Sequence, residues 1–249
     1  MIPGGGDKCV SSWKSRIASL FPQGWVGAIE YHLNPKRLDG FGGAFNGQCF
    51  RQLIFWDLAR SCRFEAIVET GTYVGCTTLF LASNCDLPVY SAEISARWLA
   101  IAKRRLAAYS NVKFTKADSV EFLSSLPLSQ ETRIFFYLDA HWLNHLPLRE
   151  EIELIFSRFS TFVVMIDDFR VPGDDGYTYD DYGPGKQLGL RDFPLQTDPR
   201  VTAYFPRRPS SEESGRRRGC VILSSASMKA AVDSLECLRP ASIEVASPR

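Results

Sequence analysis

The sequence predicts an α/β fold: a doubly wound, mostly parallel seven-stranded sheet covered by helices on both faces, with an N-terminal extension. Three observations predict it. From about residue 65 onward, short apolar runs alternate with segments of helical spacing, the pattern of parallel strands joined by crossover helices. Two of those runs, Ile134–Leu138 and Phe162–Ile166, are apolar throughout, as central strands buried on both faces must be. Run after run also ends in an acid: Glu69, Glu93, Asp139 and the pair Asp167-Asp168, with Asp118 after the third.

The elements follow in order. Residues 1–45 form the N-terminal extension, anchored by Trp13, Phe21 and Trp25, with a short helix expected around 10–20. A glycine-rich loop at 40–48 leads into a helix over 48–61, whose apolar positions are Phe50, Leu53, Ile54, Trp56 and Leu58. Strands are expected at 65–69, 88–93, 112–115, 133–139 and 161–167, and helices at 76–84, 95–109, 118–126 and 147–157. Ser95 and Asp118 are suited to cap two of these helices, and Pro147 fits the first turn of another. Residues 170–198 break the alternation with an acidic, aromatic, turn-rich stretch. A loop of that length inside a domain is usually functional, and Tyr177, Tyr179 and Tyr182 favour an ordered lid. Closing strands are expected at 200–205 and 219–224. The main domain thus spans 46–240 and the tail 241–249.

Composition narrows the function classes. A net charge of +1 supplies no global field toward nucleic acid or membranes, so neither is an expected partner. Arg216-Arg217-Arg218 is a local basic run, either a solvated loop or a contact for an anionic substrate. The seven cysteines are scattered and none forms a CxxC pair, which argues against a disulfide framework or a zinc site. No leader-like segment and no apolar stretch near ~20 residues is present, so a cytoplasmic protein is expected.

The richest segment is Val68-Glu69-Thr70-Gly71-Thr72-Tyr73-Val74-Gly75-Cys76-Thr77-Thr78. It predicts a strand, a tight glycine turn and a helix starting beneath a ligand. Gly71 can adopt backbone angles closed to other residues, and Gly75 permits a close approach. The third glycine of a dinucleotide fingerprint is missing, and no Gly-Lys-Ser/Thr follows, so the turn suits a nucleoside without a pyrophosphate. Glu93, ending the next strand, can accept both ribose hydroxyls. Asp118 can accept from an adenine amino group as well as cap its helix. Asp139, Asp167 and Asp168 are hard oxygen donors whose mutual repulsion a cation would relieve, and Mg²⁺ commonly takes a few carboxylates. His141, two residues past Asp139, is a candidate general base, and His145 a weaker one.

With Glu93 and Asp118-Ser119, this glycine motif resembles the cofactor site of class I S-adenosylmethionine (SAM)-dependent methyltransferases, which have a Rossmann-like fold. The Asp139 and Asp167-Asp168 pattern resembles the metal site of the magnesium-dependent O-methyltransferases, catechol-type and macrocin-type. The resemblance covers roughly residues 48–225. It implies that Glu69, Gly71, Thr72, Tyr73, Gly75, Thr77 and Thr78 surround the methionine part of SAM, that Glu93 holds the ribose, and that Asp118 and Ser119 hold the adenine. It further implies Mg²⁺ on Asp139, Asp167 and Asp168, catalysis by His141 and Asp139, and a small hydroxylated substrate (a sugar, polyol or phenol). Catechol-type relatives carry a lysine just after the metal aspartate, which this chain lacks, and an amide where Asp168 stands, which favours the sugar-modifying relatives. Pairing of two copies through the N-terminal elements is possible. The competing expectations are a nicotinamide-dependent oxidoreductase, disfavoured by the missing glycine and the lack of a Tyr-x-x-x-Lys pair, and a non-catalytic methyltransferase-like binding module.

Overall fold

The computed structural model describes residues 21–33, 39–141 and 145–241. Trp13, the helix expected at 10–20, Trp142 and all but the first residue of the 241–249 tail lie outside them. Five strands run parallel: β1 (Ala66–Thr70), β2 (Val89–Ala92), β3 (Val112–Thr115), β4 (Ile134–Leu138) and β5 (Phe162–Asp167). Three antiparallel strands complete one edge: β6 (Val201–Pro206), β7 (Cys220–Ser225) and β8 (Leu238–Pro240). The order is β3-β2-β1-β4-β5-β7-β6-β8. The chain winds outward from β1 to β3, then returns to the other side of β1 with β4. That reversal places a topological switch point at the carboxyl ends of β1 and β4, where sheets of this kind bind ligands.

Among the described residues the sheet therefore has eight strands, one more than expected. The eighth is three residues long and ends in Pro240. A run that short, with a residue that cannot donate to the ladder, carries no periodicity to detect. Two helices also escaped the periodicity: Gln23–Leu33 (α1), which packs on the helix Ala96–Arg105 (α4), and Lys229–Asp233 (α7).

Alternation along the strands builds two cores. In β4, Ile134, Phe136 and Leu138 face one side with α5 (Ser119–Ser125) and α6 (Leu148–Arg158). Phe135 and Tyr137 face the other, with α2 (Cys49–Cys62), α3 (Cys76–Asn84) and α7. α4 (Ala96–Arg105) is capped by Ser95, whose Oγ accepts from Trp98 N, and α5 by Asp118, whose Oδ1 accepts from Val120 N at 2.9 Å. Helix α4 stops short of the expected 109, because Leu106 leaves helical geometry after three basic residues in the last turn. The buried face of α2 is Arg51, Ile54, Phe55, Leu58 and Cys62; Leu53, expected inside, is exposed.

The 170–198 stretch contains only a short 3-10 turn at its end, yet it is tied down. Asp180 N donates to Asp168 O at 2.9 Å, and Leu188 N to Asp180 O at 3.0 Å. Tyr177 and Leu188 are buried. This backbone bonding delivers Asp180 and Tyr182 to the end of β5.

Candidate active site

The bend after β1 is built from two left-handed glycines, Gly71 (φ +85) and Gly75 (φ +77). A Cβ on Gly71 would stand 2.2 Å from the backbone oxygen of Asp139, so this glycine lets the ends of β1 and β4 close on each other. A Cβ on Gly75 would crowd Ala102 and Leu106, each at 3.0 Å. The close approach expected at Gly75 is therefore to α4. Tyr73 also has positive φ. Its ring lies between Phe41, with centroids 5.5 Å apart, and Trp98, at 4.8 Å.

Behind the bend, Glu69 is buried, and its Oε2 accepts from Thr78 Oγ1 and Ser91 Oγ, each at 2.5 Å. Thr72 Oγ1 shares a hydrogen bond with Ser91 Oγ at 2.6 Å. Burial pushes the Glu69 carboxyl up to about 8, against these hydroxyls and helped by the charges of Asp139 and Glu93. Thr77 Oγ1 accepts from Phe45 N at 3.1 Å, which holds the preceding loop to the start of α3. Glu93 Oε2 accepts from Tyr73 N and Oε1 from Ser95 N, both at 2.8 Å. Burial raises its pKa while those backbone donors oppose the rise. Each carboxylate oxygen carries two lone pairs, so one on each remains for a ligand hydroxyl. Asp118 Oδ2 lies 3.2 Å from His145 Nε2, and Ser119 is buried beside it.

On the other side of the switch point, the structure brings Asp139, His141 and Asp168 together. One ligand atom from each lies within 4.8 Å of the others. Burial, then the charge of Asp168, pushes the Asp139 carboxyl up to about 7. Burial works in the same direction on Asp168, yet His141 and Arg218 hold its carboxyl down at about 2. The pKa of His141 is raised: burial opposes its charged form, but Asp168 and Asp139 outweigh it.

Asp167 is not brought to this group. Its Oδ1 pairs with Arg51, on α2, and accepts from Asp168 N at 2.8 Å. Its Oδ2 accepts from Tyr137 Oη at 2.6 Å and Asn46 Nδ2 at 2.9 Å. The strand ends at Asp167, and the chain turns at Asp168 through a left-handed conformation, so the two carboxylates diverge. Asp168, with φ +54, turns its Oδ1 to Arg218, which also pairs with Asp180.

Arg51, Asn46, Tyr137 and Asp180, which the sequence had not singled out, frame the acids together with Arg218 of the basic run, which pairs with Asp168 and Asp180 instead of standing in a solvated loop. Arg51 gave a usable signal, because it sits on the apolar stripe of α2 where a charge is out of place. Glu151, in the first turn of α6, is fully buried beside the Thr70 and Ser119 hydroxyls. Burial raises its pKa, and those hydroxyls oppose the rise. None of these three side chains meets hydrogen-bond geometry among the described residues.

No family model matches the sequence, and no curated protein matches it. Solved structures do match. The O-methyltransferase TomG from Streptomyces achromogenes, involved in tomaymycin synthesis and solved with SAM, aligns at 18% identity with a TM-score of 0.53, over 86% of this chain and 96% of that one. The methyltransferase PaMTH1 from Podospora anserina, solved with SAH bound, aligns at 13% identity with a TM-score of 0.52, over 90% of this chain and 98% of that one. With the sheet order and the switch point described above, these matches establish the architecture: the chain has the Rossmann-like fold of class I SAM-dependent methyltransferases.

Proposed function

We propose that the chain is a SAM-dependent O-methyltransferase acting on a small hydroxylated molecule, a sugar, polyol or phenol, beside a divalent cation. The observation that carries this reading is Glu93. Its carboxylate is fixed by two backbone N–H groups at the end of β2, next to a left-handed glycine bend, with lone pairs left for the two ribose hydroxyls. Glu69, Gly71, Thr72, Tyr73, Gly75, Thr77 and Thr78 line or brace the methionine end of that seat, and Asp118 and Ser119 its adenine end.

When bound, SAM supplies an electrophilic methyl group on sulfur. A divalent ion held by the carboxylate–histidine group would lower the pKa of an acceptor hydroxyl; Mg²⁺ is the ion the resemblance implies. Asp139, Asp168 and His141 fit such an ion, since they crowd one spot and burial pushes Asp139 up to about 7 without it. The chain's own contribution is mainly placement. The bend orients the donor, and the acids at the ends of β4 and β5 orient the acceptor for in-line attack. With the donor and acceptor so placed, Asp139 would receive the acceptor's hydroxyl proton, with His141 beside it. Tyr182, whose ring centroid is 6.4 Å from that of His141, and the Phe41–Tyr73–Trp98 row support a ring-shaped acceptor.

Pairing of two copies belongs to the same proposal; Trp25, Ile29 and Leu33 stand exposed at four-residue intervals along α1. None of the described helices is long and apolar enough to cross a membrane.

Calorimetric titration with S-adenosylhomocysteine (SAH) tests the reading. Wild type should bind it. Glu93→Ala should weaken binding by at least about 100-fold, the loss of two hydrogen bonds to a charged acceptor, at roughly 1.5 kcal/mol or more each. A folded wild-type protein that binds no SAH would remove the proposal.

A further inference from the structure

We infer that the third protein donor to the divalent ion is the imidazole of His141, in place of Asp167, and that the site therefore selects a later first-row transition-metal ion (Fe²⁺, Co²⁺ or Zn²⁺) over Mg²⁺. The inference rests on the cation half of the function proposed above, and goes beyond it by naming the ligand set and the ion class.

Asp167 has nothing left to offer. A carboxylate presents about four lone-pair sites, and four donors occupy them: Arg51, Asp168 N, Tyr137 Oη and Asn46 Nδ2. The Arg51 guanidinium is itself buried against it. Pulling Asp167 round to an ion would strand that charge, which costs several kcal/mol.

His141 is in the opposite position. Its side chain is buried, yet neither Nδ1 nor Nε2 has a hydrogen-bond partner among the described residues. Buried ring nitrogens almost always have one. The nearest charged oxygen, Asp168 Oδ2, is 3.8 Å from Nε2, beyond hydrogen-bond reach. A gap of that size between potential ligands is close to the separation that an intervening ion imposes, since metal–ligand bonds near 2.0–2.2 Å hold neighbouring donors roughly 3 Å apart. Asp139 completes the group within 4.8 Å.

The surrounding charges point the same way. Arg51 offsets Asp167, and Arg218 offsets one of Asp168 and Asp180. Two carboxylate charges remain, counting Asp139, and with the His141 imidazole neutral as a metal ligand must be, one divalent ion balances them. An imidazole among the donors then decides which ion. Mg²⁺ favours an all-oxygen octahedron and gives up water reluctantly, whereas imidazole suits the later first-row ions, whose affinities climb along the Irving–Williams order. With one ring nitrogen on the metal and the other protonated, His141 has no site left to act as a base. The proton then falls to Asp139.

The experiment uses the full-length chain stripped of metal. Co²⁺ is titrated in while its d–d absorption and the proton NMR spectrum are followed, and Mg²⁺, Mn²⁺ and Zn²⁺ are then added as competitors. The chain has three histidines, so His141→Asn and His145→Asn suffice to assign a signal. The expected result is a hyperfine-shifted imidazole N–H in wild type and His145→Asn, absent from His141→Asn, with Co²⁺ or Zn²⁺ binding at least ~100-fold more tightly than Mg²⁺. His141→Asn should bring that preference below ~10-fold, with SAH binding and the circular dichroism spectrum reporting an intact fold.

A wild-type preference below ~10-fold, or Co²⁺ saturation without a shifted imidazole signal, would overturn the inference. A shifted signal persisting in His141→Asn would do the same. Absence of Co²⁺ binding in protein that still binds SAH would overturn it together with the cation half of the function, and leave the methyl-donor half standing. Loss of SAH binding with the Co²⁺ signature intact would do the reverse.

Discussion

At pH 7 the Glu69 carboxyl, sealed behind the glycine bend, holds a proton that an exposed glutamate would have released. Burial lifts its pKa from 4.5 to about 8. The sign of the consequence is fixed. A group whose pKa is raised by folding contributes stability that is complete below the unfolded value and is lost as pH rises through the folded one. The window is therefore pH 4.5 to about 8, and each pH unit inside it costs roughly 1.4 kcal/mol. Glu69→Gln keeps the shape and an acceptor for Thr78 and Ser91 but has no proton to lose. Its stability relative to wild type should thus be near zero at pH 4.5 and rise to roughly 4 kcal/mol at pH 8, or about 10 °C in Tm for a chain of this size. Asp139 titrates in the same range and its charge adds to the Glu69 shift, so the same pair of measurements on an Asp139→Asn background isolates Glu69. Paired urea denaturation at pH 5, 6, 7 and 8 measures the difference directly. Parallel stability curves for wild type and variant would refute the argument that burial governs this carboxyl.

Arg51→Met should leave Asp167 with three uncharged donors and destabilise the fold by about 3–5 kcal/mol, read as a fall in urea midpoint; a change below about 1 kcal/mol would mean that the buried pair is not formed. Gly71→Ala drives a methyl group into the Asp139 carbonyl from a left-handed backbone, and should cost at least about 2 kcal/mol and abolish SAH binding. Gly75→Ala meets only side-chain atoms at 3.0 Å, so about 1–2 kcal/mol is expected; equal losses at the two glycines would contradict the packing difference. For Glu151, whose pKa burial raises, Glu151→Gln should gain stability over wild type as pH rises above the ordinary glutamate range, and a wild-type advantage that grows with pH would exclude a buried, proton-holding carboxyl there.

The sheet was legible because its strands are short, apolar and regularly spaced. Ile134–Leu138 and Phe162–Asp167 fall within one residue of where the periodicity put them. The glycine bend and Glu93 were legible for a related reason: a strand that stops at an acid and then turns through glycine has few other local solutions. Direction was harder to read. The three aspartates of the expected cation group were chosen by their place at strand ends, which ignores the left-handed turn at Asp168 that parts it from Asp167. Partners distant in sequence were invisible as well. Arg51 reaches Asp167 across 116 positions, and only its misfit on an apolar helix stripe hinted at a buried counter-charge. Asp180 and Arg218 reach the site through loops, where no periodicity exists to place them.

The central claim is that a nucleoside-bearing sulfonium donor sits on the Gly71 bend with its ribose on Glu93. Diffusing SAH into crystals of the full chain tests it most directly. The account predicts the sulfur beside Gly71, both ribose hydroxyls within hydrogen-bond distance of the Glu93 carboxylate, and the adenine toward Asp118 and Ser119. Density for the nucleoside elsewhere, or a Glu93 carboxylate that contacts only Tyr73 N and Ser95 N while SAH is bound, would contradict it.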